Sequence, residues 1–194
     1  MDQLLKQIRN CSLCEKELPL GPHPVVQASA KSKLLIIGQA PGSRVHQSGI
    51  PWDDPSGDRL RDWLKIDKET FYDADKVAIV PMGFCYPGRG RSGDNPPRPE
   101  CAPTWHERLL NEMPSIQLTL LIGQYAQRYY LKHVEASAGQ KTLTERVKNA
   151  DKAPDHFFPL PHPSPRNQIW LKKNPWFEKE TLPLLRSRLA TLKF

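Results

Sequence analysis

The sequence predicts an α/β fold, a three-layer α/β/α arrangement around a central, mainly parallel four-stranded sheet. Three short apolar runs at 33–38, 76–82 and 118–123 indicate buried strands, and residues 156–161 indicate a weaker fourth. Helical patterns of about 10 to 15 residues lie between these runs and after the last one. Strands that alternate with helices pair in parallel and carry the helices on their faces, so this order predicts the three layers.

The predicted helices begin after recognisable boundary residues. They cover 58–66 after Ser56, 102–113 after Cys101, 124–134 after Gly123, and 175–192 at the end of the sequence. A length of 194 residues is enough for one domain with a proper core and short for two. We therefore expect a single domain over residues 1–194.

Composition favours a polyanionic partner and disfavours a membrane or secreted protein. The formal net charge of +7 at pH 7 attracts polyanions, although charge alone does not identify which. The first residues lack the apolar core of a signal peptide, and no run approaches the roughly 20 apolar residues of a membrane span. We expect a soluble, cytoplasmic monomer.

The first strand ends abruptly in the stretch KLLIIGQAPG, residues 33–42. In open parallel sheets the ligand crevice lies at the carboxyl ends of the strands. A strand that stops at Gly38 and turns through Pro41 and Gly42 therefore places Gln39 at that crevice. The Gln39 amide either contacts a ligand or bonds the backbone of the turn.

Two motifs, one after the first predicted strand and one after the last, carry a resemblance. The pair GQAPG (38–42) and HPSPRN (162–167) resembles the uracil-DNA glycosylase superfamily, over roughly residues 8–190. The iron-sulfur branch of that superfamily has Gly-Glu-Ala-Pro-Gly at the first place, and HPSPRN is closest to the family five branch. The resemblance implies a DNA glycosylase that flips a base out of single- or double-stranded DNA and releases it.

The resemblance also implies roles for individual residues. Trp52 matches the aromatic side chain that stacks on the base, and Gly38, Gln39 and Ala40 would border the base. His162 resembles the family histidine that bonds a base carbonyl and stabilises the negative charge of the leaving base. The alternatives are a packing role for Trp52 and an ordinary loop role for His162.

No carboxylate remains in the first motif of this chain. Gln39 stands where the iron-sulfur branch has Glu, and Ala40 stands where the best-known uracil enzymes have Asp. Gln can orient a water molecule but cannot accept its proton as an anion would. The nearest substitutes are three acidic residues, close to where family five has its catalytic Asp, and one histidine: Asp53, Asp54, Asp58 and His46. We expect Asp54 or Asp53 to act, unless the pair only forms a turn or caps the next helix.

The residue that reads the base also differs from the family pattern. The uracil-specific branches place an Asn near the end of the second strand, where this chain has Pro81. Proline has no side-chain amide, so either Gln39 reads the base edge or the substrate is not uracil. We expect a deaminated base, with uracil as the first choice.

Candidate DNA contacts lie in two loops. Three residues of the His motif match positions that hold the phosphates next to the flipped nucleotide: Ser164, Arg166 and Asn167. Three arginines lie in a loop rich in Gly and Pro, which is either a phosphate-binding loop or merely solvated: Arg89, Arg91 and Arg98. Trp170, with Lys172 and Lys173 after it, is a candidate wedge into the duplex, or else packs under the last helix.

The four cysteines leave the metal open. The resemblance to the iron-sulfur branch implies a [4Fe-4S] cluster held by Cys11, Cys14, Cys85 and Cys101. The spacing also suits a tetrahedral zinc held by Cys11, Cys14, Cys101 and His106, and a protein without metal is the third alternative. Either metal would be structural and would pin the N-terminal segment to the Pro-rich loop.

The sequence therefore predicts a base-excision repair glycosylase that acts on DNA. A rival hypothesis is a nucleic-acid-binding protein that kept the fold and lost efficient chemistry, which the missing carboxylate and the missing Asn both favour. A more distant alternative is a small-molecule hydrolase that uses the same crevice.

Overall fold

A four-stranded parallel sheet lies at the centre of the protein, which we describe from a computed structural model of residues 1–132, 142–154 and 156–194. The strands are β1 (Leu34–Ile37), β2 (Val77–Ile79), β3 (Leu118–Ile122) and β4 (Phe157–Leu160). Their order across the sheet is β2-β1-β3-β4, and all three neighbouring pairs are parallel. The predicted fold class is confirmed, and the sheet is parallel throughout.

Helices cover both faces of the sheet. The described α-helices are α1 (Asp2–Arg9), α2 (Ser43–Ser48), α3 (Pro55–Leu64), α4 (Lys68–Tyr72), α5 (Cys101–Asn111), α6 (Gly123–Tyr130), α7 (Leu143–Lys148), α8 (Gln168–Lys173) and α9 (Leu182–Ala190). Short 3-10 turns occupy Glu15–Glu17, Ala150–Lys152 and Pro165–Asn167, and a π-helical segment, Phe177–Thr181, leads into α9.

Alternate residues of each strand point to opposite faces and build two cores. On one face, Leu34 and Ile36 of β1 pack with residues of α3, α4, α7 and α9. On the other face, Leu35 and Ile37 pack with residues of α1, α5 and α6. All four β1 side chains are fully buried, which explains why this strand has an unbroken apolar sequence.

The predicted elements differ from the structure mainly at their ends. The strands are shorter than the apolar runs by one to four residues, and the last predicted helix is divided between the π-helical segment and α9. The predicted helix at 124–134 ends at Tyr130, and its last two predicted positions lie outside the described residues. No described helix is long and apolar enough to cross a membrane. The assignment of residues 1–194 to one domain stays a prediction.

Candidate functional site

A cavity of about 110 Å³ opens at the carboxyl ends of the strands, where the sequence predicted the crevice. A closed cavity of roughly 150 Å³ holds benzene. This one is smaller but partly open to solvent, so it has room for about one ring system. Its polar side chains are Gln39, Asp54, Ser56, Asp94 and His162. Apolar surface comes from Trp52, Pro81, Ile79, Val25 and Val45, and Gly38 and Ala40 also border the cavity.

His162 follows β4 and is held in one orientation and one protonation state. The backbone N–H of Ser164 donates to His162 Nδ1 over 3.1 Å, and Asn167 Nδ2 donates to the His162 carbonyl oxygen over 2.7 Å. Burial lowers the pKa of His162 to about 4, although the charge of Asp54 acts in the opposite direction. The imidazole is therefore neutral near pH 7. Because Nδ1 accepts, the ring proton lies on Nε2.

The loop that carries His162 is fixed by neighbours as well. Arg59 of α3 donates to the carbonyl oxygens of Ser164 and Pro163 over 3.1 and 3.4 Å. The Ser164 hydroxyl accepts from the Arg166 N–H over 3.2 Å. The predicted DNA contact Asn167 has its side-chain amide committed to the loop, so its main role here is to position His162.

Trp52 lies over the end of β1, beside His162. The two rings are 5.5 Å apart between centroids, and a Cβ added to Gly38 would come within 2.9 Å of the indole. Trp52 has a left-handed backbone with φ of +57°, and its carbonyl approaches Gly57 so closely that a Cβ there would lie 1.8 Å from the oxygen. Arg61, which is buried, donates to this carbonyl over 3.4 Å. The indole is thus held as one wall of the cavity.

Of the neighbouring aspartates, the structure brings only Asp54 to the cavity. Asp54 caps α3, because its Oδ1 accepts from the Gly57 N–H over 2.8 Å, and it also borders the cavity. Asp54 is therefore the helix cap and also lies at the cavity, while its role in a reaction stays a prediction. Asp53 is exposed, and its negative charge, together with the larger effect of burial, raises the pKa of Tyr72. Asp58 forms an ion pair with Arg61 at 2.6 Å.

A tight hairpin, Gly88–Asn95, borders the other side of the cavity. It is closed by hydrogen bonds from Gly90 N–H to the Gly93 carbonyl (2.6 Å) and from Asn95 N–H to the Gly88 carbonyl (2.8 Å). Gln39 Nε2 donates to the Asn95 carbonyl oxygen over 3.1 Å. Gln39 therefore bonds a neighbouring loop rather than its own turn. Because a carbonyl oxygen only accepts, the end of the Gln39 amide that faces Asn95 must be the nitrogen, Nε2.

Asp94 of the same hairpin borders the cavity, and sequence reasoning missed it. A Cβ added to Gly42 would lie 3.6 Å from Asp94 Oδ2, which places the carboxylate over the first motif. In the sequence, the only signal at this position is the string SGDN, which is typical of a turn. Ser56 is buried and also borders the cavity. Sequence reasoning missed it as well, because it lies in the string PSG, which is also typical of a turn.

His106 has both ring nitrogens bonded to groups other than the cysteines, which argues against the zinc ligand set that includes it. Its Nε2 donates to the Pro81 carbonyl oxygen over 3.0 Å, and its Nδ1 accepts from the Tyr130 hydroxyl over 2.6 Å. Burial lowers the pKa of His106 to about 4, so the ring is neutral. Both nitrogens are committed, and the histidine supports the end of β2 that borders the cavity.

His46 does not lie where it could act as the general base. It is not among the described residues around the cavity, and its ring lies 5.1 Å from His23 and 6.3 Å from Tyr86, between centroids. Burial, with His23 as a second cause, lowers the pKa of His46. Its Nδ1 is buried and makes no hydrogen bond within the described part of the chain.

The four cysteines border one small cavity of about 20 Å³, between the segment after α1, the loop after β2 and the start of α5. All four are free thiols. Burial raises the pKa of Cys85 to about 11 and of Cys101 to about 12, and Cys101 Sγ accepts from the Phe84 N–H over 3.3 Å. Within the described ranges, no group of three or more His, Cys, Asp or Glu side chains is arranged to hold a single metal ion.

The predicted DNA contacts separate into exposed and committed side chains. Arg89, Arg91 and Arg166 are exposed, and a Cβ at Gly93 would lie 2.8 Å from Arg166 Nη1, so the hairpin and the His motif meet above the cavity. Arg98 instead forms a two-bond ion pair with Glu100, at 2.7 and 3.2 Å, beside the cysteines.

The wedge expectation for Trp170 is not supported by its position. Trp170 Nε1 donates to Thr144 Oγ1 over 2.9 Å, and its ring packs against Trp176 and Phe177. This is the packing alternative. Its neighbour Ile169 is 69 % exposed and is the apolar side chain that α8 presents to solvent.

Comparison with known protein families identifies one match. The family described as the Uracil DNA glycosylase superfamily matches residues 25–186, which is most of the chain of 194 residues. The matched region includes β1 through β4 and every residue described around the base-sized cavity.

Proposed function

The chain belongs to the uracil-DNA glycosylase superfamily, and from this membership and the cavity we propose that it is a monofunctional DNA glycosylase that hydrolytically releases a deaminated base. Membership supports a glycosylase-type role in DNA repair, with DNA as the partner. The proposal adds the reaction and its residues. Uracil is the first substrate to test, because the resemblance of the motifs pointed to it.

The neutral His162 carries this proposal. An imidazole with Nδ1 occupied and a proton on Nε2 offers one hydrogen-bond donor, beside an aromatic wall, in a cavity of single-ring size. Such a donor binds a base carbonyl and binds it more strongly as the base leaves with its electron pair, because negative charge then develops on that oxygen. A pKa near 4 leaves the ring neutral near pH 7, so His162 would act as a neutral hydrogen-bond donor and not as an imidazolium acid.

Asp54 supplies the carboxylate that the first motif lacks. One of its oxygens is held by the Gly57 N–H, so the carboxylate has a fixed direction in the cavity beside His162. We assign to it the positioning of the attacking water and the stabilisation of positive charge on the sugar. Trp52 would stack on the flipped base, and the exposed Arg89, Arg91 and Arg166 would contact phosphates.

The first test is release of free base from single-stranded and duplex oligonucleotides that carry uracil, hypoxanthine or xanthine. We expect His162→Ala to lower the single-turnover rate by about 100-fold or more, since it removes the preorganised donor. His156→Ala is the matched control, because His156 is exposed at the other end of β4. Equal rates in His162→Ala and the wild type would refute the assigned mechanism.

One observation favours a second candidate, a DNA-binding protein without efficient chemistry. Pro81 borders the cavity where the family pattern has an Asn, so the side chain that reads uracil in the relatives is missing. Tight, salt-dependent DNA binding without release of any of the three bases would select this candidate.

We also propose that the four cysteines hold a structural [4Fe-4S] cluster. Their convergence on one cavity among apolar side chains and the N–H donor at Cys101 support this, and both features suit cluster sulfurs. A zinc site requires four ligands within about 2.3 Å of one ion, and His106 is committed elsewhere. Bound iron would cross-link the segment after α1 to α5, and binding would displace the thiol protons.

The cluster proposal predicts a brown protein after anaerobic purification, with an absorption band at about 400 nm that dithionite bleaches. Cys85→Ser should lower both the iron content and the melting temperature. A colourless protein that contains zinc, or no metal in anaerobic preparations, would contradict it.

A further inference from the structure

One stretch of chain, residues 18–27, lies between the small cavity bordered by the four cysteines, the cysteine cavity, and the base-sized cavity; we call it the bridging segment. Pro24 borders the cysteine cavity, and the next residue, Val25, borders the base-sized cavity. The end of the segment is held by β2, because Gln27 and Ile79 exchange backbone hydrogen bonds of 2.7 and 3.0 Å. The two cavities therefore share one piece of backbone.

The bridging segment is fixed to the cysteine cavity at two points. The Val25 N–H donates to the Phe84 carbonyl oxygen over 2.8 Å, and Phe84 is one of the residues around that cavity. The backbone N–H of His23 faces Cys85 Sγ. Burial raises the pKa of this thiol to about 11, and the His23 N–H acts in the opposite direction. A change at Cys85 therefore reaches His23 directly.

The side chain of His23 holds the end of α2. Its Nδ1 donates to the His46 carbonyl oxygen over 2.6 Å, and a Cβ added to Gly49 would lie 3.4 Å from its Nε2. The last carbonyls of a helix have no partner within the helix, so a donor from another segment stabilises that end. Because α2 has only six residues, and helices of that length are marginal on their own, it depends on such outside contacts.

Helix α2 forms part of the wall of the base-sized cavity. It follows the first motif directly, with Gly42 as its N-cap, and both Gly42 and the buried Val45 border the cavity. His162 and Asp54 belong to other parts of the chain, after β4 and at the start of α3. A displacement of α2 would therefore change the shape of the cavity and leave the residues assigned to the reaction in place.

We propose that His23 is a positioning residue of the base-sized cavity, which couples the cysteine site to α2 and so sets the affinity for a flipped base. This inference rests on the proposed glycosylase function. It makes no assumption about which metal the cysteines bind, because the contact with Cys85 is made by the chain itself. The coupling acts on binding and not on the reaction step.

Hydrogen–deuterium exchange of the free protein tests the link without DNA. We expect His23→Ala to raise the exchange rate of the α2 amides about three- to tenfold, the effect of one hydrogen bond, while the β1 amides stay unchanged. His23→Asn should restore the wild-type rate, because its side-chain N–H can replace Nδ1–H. His156→Ala, at an exposed histidine before β4, is the matched control.

A double-mutant cycle tests whether the effect of the cysteine site passes through His23. Cys85→Ala should also raise the exchange of α2, but adding His23→Ala to it should raise the exchange no further, because both changes break one link. Exchange of the β1 amides in the same samples reports global unfolding. If Cys85→Ala folds poorly, removal of bound metal from the wild type and from His23→Ala gives the same comparison.

Steady-state and single-turnover kinetics on uracil DNA separate positioning from general structural damage. His23→Ala should raise KM about three- to tenfold and leave the maximal single-turnover rate unchanged, since it alters binding alone. His23→Asn should restore the wild-type KM.

Three results would overturn the proposal. They are wild-type exchange of α2 in His23→Ala, fully additive effects in the double-mutant cycle, and an unchanged KM in His23→Ala. If even the wild type releases no base from any of the oligonucleotides, the glycosylase proposal fails, whereas the exchange measurements still decide whether His23 links the cysteine site to α2.

Discussion

The two sides of the base-sized cavity differ in how firmly their side chains are held. On the side of β4, His162 is fixed by Ser164 and Asn167, and Asp54 is fixed by Gly57. On the hairpin side, Gln39 has one side-chain hydrogen bond and Asp94 is exposed. The contrast shows that the residues we assign to the reaction are held more firmly than the side chains of the hairpin side. Four measurements test it.

The largest effect is expected from Asp54→Asn on the rigid side. Asn can still cap α3 through its oxygen but carries no charge, so the fold should persist while base release falls about 100-fold. Single-turnover rates measure the change, with Asp53→Asn as the matched control, because Asp53 does not border the cavity among the described residues. A larger loss of rate in Asp53→Asn than in Asp54→Asn would indicate that Asp53, and not Asp54, positions the water.

The two sides should respond alike to acid, because each depends on a neutral histidine, His162, which is half-buried, on one side and His106, which is buried, on the other. Burial lowers the pKa of His162 and of His106 from the usual 6.5 to about 4. Between these values the unfolded chain binds more protons. The contribution to stability is therefore present above pH 6.5 and is lost as the pH falls towards 4, by at most about 1.4 kcal/mol per pH unit for each histidine.

Urea unfolding at several pH values between about 7 and 4.5 measures this slope. His106→Gln should make the slope shallower, since it removes one of the two neutral imidazoles and can still donate to the Pro81 carbonyl oxygen. An unchanged slope in that variant would place the acid sensitivity in other groups.

A smaller effect is expected beyond the rigid side, at Ile169. The exposed Ile169 is the side chain of α8 that could wedge into the duplex in place of Trp170. If it does, Ile169→Ala should slow base release from duplex DNA about tenfold and leave single-stranded DNA unaffected, because a wedge matters only where stacking must be disrupted. Trp170→Phe is the matched variant. It should cost about 1 kcal/mol of stability through the lost bond to Thr144 without changing the duplex-to-single-strand ratio. The reverse pattern would restore Trp170 as the wedge.

The smallest effect is expected on the hairpin side, from Arg91→Ala. One lost phosphate contact should reduce the slope of log affinity against log salt by about 1 and weaken binding a few-fold at low salt. Arg98→Ala, in the same loop, should leave that slope unchanged because Arg98 pairs with Glu100. Equal slopes for Arg91→Ala and the wild type would show that the hairpin does not contact the backbone.

The sequence could predict features that depend on local pattern, and not those that depend on distant contacts. Unbroken apolar runs predicted β1, β2 and β3, because buried parallel strands leave no room for polar side chains. Asp94 could not be predicted as a cavity residue, because its position depends on a hairpin that folds back over the first motif.

Two misassigned residues show the same limit. His106 fits a zinc spacing in sequence, yet its partners are 24 and 25 residues away, and no local pattern encodes them. Arg98 lies in the basic loop, but its guanidinium forms an ion pair with Glu100. The pairing depends on how the loop packs against the cysteine cavity, which the sequence does not show. The short helices α2, α4, α7 and α8 have five or six residues each, too few for a periodic signal.

The hairpin Gly88–Asn95 also has a consequence for how this protein can diversify. From Arg89 to Asn95 its side chains are exposed or half-exposed, and none belongs to either core. Apart from Gly90 and Gly93, where an added Cβ would lie 2.7 Å from Asn95 Oδ1 and 2.8 Å from Arg166 Nη1, substitutions there carry little folding penalty, whereas changes around His162 disturb a network that also holds the loop after β4. Descendants of this sequence can therefore vary one wall of the cavity while they keep the arrangement around His162 intact.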